Sequence, residues 1–274
     1  MKLGFIGAGA MASAIARGLR QSGDSSSTIV LYDVNGAAAQ ALADSVSGTV
    51  ARSAQQVAQT ADLVILAVKP HIQTAVLAEL ASDANAQGPA LISIAAGRTL
   101  ESIATDLRAA GATELPPLGR VMPNVAAQVG ASTSALCYTP ATPERVRTAT
   151  KQVFDCVGAT LELPESHFAA FTAMASSSPA WFFEIAESLA RAGVKYGLTK
   201  AQALAAVTQS MLGSALLLKQ GADLGESPSQ LVDRVSSPGG TTIAGLLAAQ
   251  ESGLQNSLVK AVDATVRRFE ELDQ

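Results

Sequence analysis

The chain has few of the residues that most often bind metals or act as nucleophiles. Its 274 residues hold two histidines, two cysteines and one tryptophan. Neither His71 nor His167 belongs to a metal-spaced cluster, so no metal site is expected. Cys137 and Cys156 stand alone, without a Cys-x-x-Cys pair, which argues against a disulfide framework and for a reduced, cytoplasmic chain. Charge is sparse too, at 15% of residues with a net −4, so there is no general attraction for nucleic acid or anionic membrane. No stretch approaches the roughly 20 uncharged apolar residues of a membrane helix. The start, Met1-Lys2-Leu3-Gly4-Phe5-Ile6, reads as a buried first strand because glycines interrupt any signal-like apolar region. What is abundant is apolar: hydrophobic residues make up 48%, enough for a large core and, at this length, for two domains.

Over the first 160 or so residues, short β-rich runs alternate with helical patterns, the sequence form of a parallel α/β sheet. Strands are expected at Leu3 to Ile6, Thr28 to Asp33, Thr49 to Ala51, Asp62 to Val68, Ala90 to Ile94, Leu118 to Val121, Ala131 to Tyr138 and Gly158 to Leu163. Met11, Ala14, Ile15, Gly18 and Leu19 fall on one face of a helix between the first two strands. Thr142 and Pro143 serve as cap and first-turn proline for a helix running to Cys156. From Ser166 onward only helices are expected, at Pro179 to Ala192, Thr199 to Gln220, Thr242 to Gln250 and Leu254 to Asp273. The boundary is placed near residue 164, giving a dinucleotide-binding domain over 1–164 and an all-helical domain over 165–274. Thr208 to Leu218 carries no charge, and a helix with so little polar face needs burial on most sides. A subunit interface would supply it. Trp181, Phe182 and Phe183 are expected in the helical core.

Gly7-Ala8-Gly9-Ala10-Met11-Ala12 follows the strand ending at Ile6 and opens a helix, matching the G-x-G-x-x-A form of the dinucleotide fingerprint. Gly7 permits the tight turn, Gly9 lets a pyrophosphate approach the backbone, and the helix amides face the phosphates. Asp33 ends the second strand, where a carboxylate accepts hydrogen bonds from the adenosine ribose and repels a 2′-phosphate, favouring NAD. Arg52, after the third strand, is the counterweight that could meet that phosphate and favour NADP. Ala67-Val68-Lys69-Pro70 and Ala95-Ala96-Gly97 end the fourth and fifth strands, where open sheets bind ligands, and their small residues admit a flat nicotinamide.

These motifs resemble those of pyrroline-5-carboxylate reductases. Phe5 to Met11, Ala67 to His71, Ser93 to Gly97 and Val121-Met122-Pro123-Asn124 occur in that family's order. Leu231 to Leu246, with Ser237-Pro238-Gly239-Gly240-Thr241-Thr242 at its centre, is similar to the family's signature segment. The resemblance covers essentially the whole chain. It implies an α/β Rossmann-type domain followed by an all-α dimerisation domain, and hydride transfer from NADPH or NADH to 1-pyrroline-5-carboxylate, giving L-proline. It further implies a homodimer, with larger rings of dimers among the family's arrangements. The chain departs from the family pattern at Ala10, at Val125-Ala126 and at Ala175.

Read physically, Ser237 to Thr242 precedes a helix, and its two glycines free the backbone to present N–H donors to a carboxylate. Ser237, Gly239, Gly240, Thr241 and Thr242 are the candidate substrate ligands. Thr242 is the candidate catalytic residue, hydrogen bonding to the ring nitrogen or relaying its proton. A protonated imine already draws hydride, so the main task is holding the reacting atoms about 3–3.5 Å apart. Two rivals remain at this point: a β-hydroxyacid dehydrogenase of the same plan, and a non-catalytic dinucleotide-binding sensor.

Overall fold

The computed structural model describes residues 1–23 and 26–272. Strands β1 (Lys2–Ile6), β2 (Thr28–Tyr32), β3 (Thr49–Val50), β4 (Leu63–Leu66), β5 (Ala90–Ser93), β6 (Leu118–Met122), β7 (Ser132–Tyr138) and β8 (Gly158–Glu162) form one sheet in the order 3-2-1-4-5-6-7-8. β1 lies parallel between β2 and β4, with Ile6 level with both Tyr32 and Leu66, so three carboxyl ends share one edge.

Side-chain alternation divides the core between the two faces. In β4, Leu63 and Ile65 enter one apolar cluster and Val64 and Leu66 the other, the two-residue period of a strand. The first cluster is covered by α1 (Ala10–Gln21), α2 (Gly36–Val46) and α6 (Glu144–Asp155). The second is covered by α3 (Ala54–Thr60), α4 (Pro70–Leu80) and α5 (Leu100–Ala109). With both faces covered, β4 and β5 are buried at every residue, which explains their unbroken apolar runs.

The sheet is mixed rather than wholly parallel, because β7 runs antiparallel to β6. A parallel neighbour needs a crossover of a dozen or more residues. The connection over 123–131 holds only a 3-10 turn, Val125–Val129, and so returns the chain directly. The expected cap of α6 is also corrected. The Thr142 hydroxyl donates to the Leu118 carbonyl at 2.9 Å, tying the loop to β6, and Pro143 takes the cap position without a side-chain bond.

The remaining helices are α7 (Phe168–Phe171), α8 (Ser178–Lys195), α9 (Lys200–Asp223), α10 (Pro228–Val235), α11 (Thr241–Glu251) and α12 (Leu254–Leu272), with a π turn at Thr172–Ser177. α10 lies where no helix was expected. Its Ser227 and Gln230 form a reciprocal capping box, as Thr199 and Gln202 do for α9.

The chain divides into two compact units, residues 1–176 together with the end of α12 from Thr265, and residues 177–264. The division falls later than residue 164 because Phe168, Phe171 and Phe269 are all buried in the first unit's core. Within the second unit, Ala190 of α8 and Ala203 of α9 are buried, and Gly221 of α9 is buried beside Leu231 of α10. A Cβ on Gly193 of α8 would come within 2.8 Å of Ala203 Cβ, so glycine is needed there for close approach. Most of the unit's large apolar side chains stay exposed in the single chain. Phe182 and Phe183 are 50% and 66% exposed and Trp181 is half-buried, so this aromatic group does not fill an internal core. By length and composition α9 could cross a membrane, correcting the expectation that no stretch approaches this.

Candidate functional site

The turn from β1 into α1 is shaped by two glycines with different needs. Gly7 has φ +102°, and a Cβ there would sit 2.7 Å from the Ala67 carbonyl oxygen. Its N–H donates to the Tyr32 carbonyl at 2.8 Å, binding the turn to β2. Gly9 caps α1 in extended backbone, and a Cβ there would meet no atom within 4 Å. The space is open and faces a helix start without a side-chain cap, which suits a pyrophosphate oxygen. Ile6 and Ala12 are buried on either side, and Ala8, Ala10 and Met11 complete the turn.

Asp33 is held beside this turn. Its Oδ2 accepts the Ala8 N–H at 2.7 Å and its Oδ1 accepts the Asn35 N–H at 2.8 Å. Arg52 follows β3, which pairs with β2, so it shares that sheet edge. Its backbone N–H donates to Gln56 Oε1 at 2.7 Å, and the residue is exposed.

The other two loops leave β4 and β5 at the same edge, where strand order reverses between β1 and β4. Ala67 and Val68 are half-buried, while Lys69 caps α4 and Pro70 fills its first turn. Ala95 is buried, Ala96 exposed and Gly97 left-handed at φ +71°. Ser93 Oγ accepts both the Gln73 amide at 2.8 Å and the Ala95 N–H at 3.3 Å. Gln73 was not legible as a support for this loop, since nothing local marks a helix glutamine as buried.

The departures at Val125-Ala126 and Ala175 meet at Asn124. Its Oδ1 accepts the Ala126 N–H at 3.1 Å, and its Nδ2 donates to the Ala175 carbonyl at 2.8 Å. Residue 175 makes this bond through its backbone, so the bond itself does not depend on the side chain there.

In the second unit, the Gly240 N–H donates to the Ser237 carbonyl at 3.0 Å, closing a turn with Gly239 at φ +69°. A Cβ on Gly240 would fall 2.3 Å from Ser237 Oγ. Gly240 caps α11 without a side-chain bond, leaving Thr241 and Thr242 exposed in the first turn. Ser236 Oγ is buried without a partner. The arrangement presents backbone donors and hydroxyls at the positive end of a helix, which suits a carboxylate.

Acid–base side chains are scarce at both places. Burial pushes the Cys137 thiol up to about 12, which removes it as a nucleophile. His71 and His167 are exposed. Among the described residues, no group of three or more His, Cys, Asp or Glu could hold a metal ion.

Comparison with known proteins gives the same picture over the full length. Residues 165–272 match the model described as pyrroline-5-carboxylate reductase dimerisation, and residues 2–97 match that of the coenzyme F420-dependent NADP oxidoreductases. The chain is 36% identical to the pyrroline-5-carboxylate reductase of Escherichia coli, over 100% of this chain and 98% of that one. It is 35% identical to the Synechocystis protein of the same name, over 99% and 98%. The solved reductase from Coxiella burnetii superposes with a TM-score of 0.90 at 29% identity, covering 99% of this chain and 98% of that one. The Plasmodium falciparum reductase, solved with NADP bound, gives 0.82 at 25%, covering 100% and 98%. The dimerisation match includes α9, whose apolar side chains are exposed in the single chain. With the dimerisation model matched over its helical residues and relatives above 30% identity covered along nearly their whole length, the chain belongs to the pyrroline-5-carboxylate reductase family of nicotinamide-dependent oxidoreductases.

Proposed function

We propose that this chain reduces 1-pyrroline-5-carboxylate to L-proline, using NADPH or NADH. The observation that carries the reading is the Ser237–Thr242 turn, a carboxylate-sized set of donors in a chain of this family. The amides of Gly239 and Thr241 hold the substrate carboxylate, with Ser237 adding its hydroxyl, while the Gly240 N–H closes the turn on the Ser237 carbonyl. The Thr242 hydroxyl hydrogen bonds to the ring nitrogen and steadies its proton. The protonated imine carbon is then the electrophile, and no further acid is required. When bound, the reduced nicotinamide supplies the hydride.

On the cofactor side, Ile6, Gly7, Ala8, Gly9, Ala10 and Met11 hold the pyrophosphate, and Asp33 faces the adenosine ribose. Arg52 meets a 2′-phosphate when one is present. Ala67 to Pro70 and Ala95 to Gly97 form the walls against which the nicotinamide lies. Both cofactors are used, because Asp33 and Arg52 pull the preference in opposite directions. The working unit is a homodimer built through the second unit, acting in the cytoplasm.

The test is imine-dependent oxidation of NADPH and NADH, with proline identified as product. Gly240→Pro breaks the bond to the Ser237 carbonyl that closes the turn and crowds Ser237 Oγ, and should raise the KM for the imine at least about tenfold while leaving cofactor affinity unchanged. Thr242→Ala should instead lower kcat about ten- to a hundredfold. An unchanged imine KM in Gly240→Pro would reduce the turn to a plain helix start.

A further inference from the structure

Arg120 is the largest fully buried side chain of the molecule, 1% exposed in the middle of β6. The family's dinucleotide and signature segments leave it without a role. Its Nη1 donates to Glu165 Oε1 at 2.9 Å. Its guanidinium lies between two rings, 4.9 Å from the centroid of Phe168 and 5.5 Å from that of Phe269. The same Glu165 oxygen also accepts the Leu100 N–H, at 2.9 Å. Leu100 is the first residue of α5, so this carboxylate caps the helix that the loop after β5 runs into.

That loop, 94–99, is therefore fixed from three directions. At its start, Ser93 Oγ takes the Ala95 N–H and is itself held by Gln73. At its end, Glu165 holds Leu100. In the middle, Gly97 packs against the end of α12: a Cβ there would be 3.2 Å from the Leu272 carbonyl oxygen. Phe269, one turn earlier in α12, is the ring that covers Arg120. Two of the three supports thus lead back to the Arg120 guanidinium, one through Glu165 and one through Phe269.

We infer that Arg120 and Glu165 are positioning residues for the Ala95–Gly97 loop, and through it for the nicotinamide end of the cofactor. The inference rests on the reading that this loop faces the cofactor. Neither residue touches a reacting atom. Glu165 adds an acceptor for the Leu100 N–H to the Thr99 cap of α5, and Arg120 holds Glu165 and the end of α12 in register with each other. Without the guanidinium, the carboxylate loses its counter-charge and Phe269 its cation, which weakens two supports of the loop while the Ser93 anchor and the Arg98–Asp106 ion pair remain.

The experiment measures NADPH affinity by fluorescence titration, a readout independent of turnover, alongside both KM values in the full-length protein. Glu165→Ala removes the cap at a partly exposed position and should weaken NADPH about fivefold, with the imine KM unchanged. Glu165→Gln keeps an acceptor for Leu100 and should restore most of that loss. Arg120→Met should show the same cofactor-selective pattern, larger at about tenfold, and Arg120→Lys should recover part of it. Ala96→Asp, which alters the loop directly, should also weaken NADPH. A Glu165→Ala protein with a lower Tm but unchanged NADPH affinity would overturn the inference, provided that Ala96→Asp still weakens binding. Unchanged affinity in Ala96→Asp as well would remove the loop from the cofactor site and with it both readings.

Discussion

In the first unit β4 and β5 are buried at every position and two apolar clusters fill both faces of the sheet, whereas in the second α10 and α11 have no buried residue at all. Leu212, Leu216 and Leu217 of α9 are 54%, 60% and 48% exposed, a density of apolar surface that water does not tolerate on a lone domain. The first unit completes its own core. The second leaves its apolar surface exposed in the single chain, and matches a dimerisation model over 165–272. A surface substitution should therefore be mild in one unit and severe in the other.

The strongest way to break that contrast is Leu212→Glu with Leu216→Glu. Each lost apolar burial costs about 1.5–3 kcal/mol per subunit, doubled across a symmetric interface. Sedimentation should show loss of the dimer at micromolar concentration, with reductase activity abolished and NADPH affinity of the first unit kept within about threefold. A persisting dimer would move the interface off this face of α9.

Next in size is a contrast within the glycine turn. Gly9→Val should lower cofactor affinity by more than about a hundredfold, because its side chain enters open space that a pyrophosphate needs. Its stability cost should stay near 1 kcal/mol. Gly7→Ala should do the reverse damage, lowering Tm, since its Cβ would meet the Ala67 carbonyl in a left-handed backbone. Calorimetry and titration on the two variants separate fold from ligand.

A smaller effect is expected at Asp33. Asp33→Ser should shift the ratio of kcat/KM values toward NADPH by about tenfold, from removal of like charge beside a 2′-phosphate. Both cofactors should also bind somewhat less well, because Asp33 Oδ2 holds the Ala8 N–H. Arg52→Ala should weaken NADPH selectively. An unmoved ratio in Asp33→Ser would take its carboxylate off the ribose.

The smallest prediction is alkaline and confined to the first unit. Burial raises the Cys137 thiol from 9.0 to about 12, so the folded state keeps a proton that the unfolded chain releases. The associated stability is whole below pH 9 and is lost as pH rises toward 12. Cys137→Ala should flatten part of the decline in urea midpoint between pH 8 and pH 11. Tyr138, whose phenol burial raises in the same sense, keeps the remainder.

Much of this molecule is legible from residues alone, for local reasons. Strands buried on both faces announce themselves as unbroken apolar runs, and Gly7 marks a turn that only glycine can make while Gly9 leaves open space beside it. What escapes is direction and distance. An apolar run has no polarity, so the reversal of β7 depends on the shortness of 123–131 rather than on its composition. α10 lies in a segment where no helix was expected, although its Ser227–Gln230 capping box stands in the sequence. Trp181 to Phe183 depart from the rule that aromatics are buried, since Phe182 and Phe183 are exposed and Trp181 is only half-buried in the single chain. Glu165 reaches Arg120 and Leu100 from a distant part of the chain, and no spacing rule could join them.

The end of α12 has a consequence for synthesis. Phe269 belongs to the core of a unit whose other residues, up to Ser176, leave the ribosome far earlier. Until the final helix emerges, Arg120 has Phe168 on one side and no ring on the other, so the sheet domain cannot finish folding as a nascent N-terminal piece. Its closure is a late, long-range event, and a chain stopped short of Thr265 would be released with its own core open.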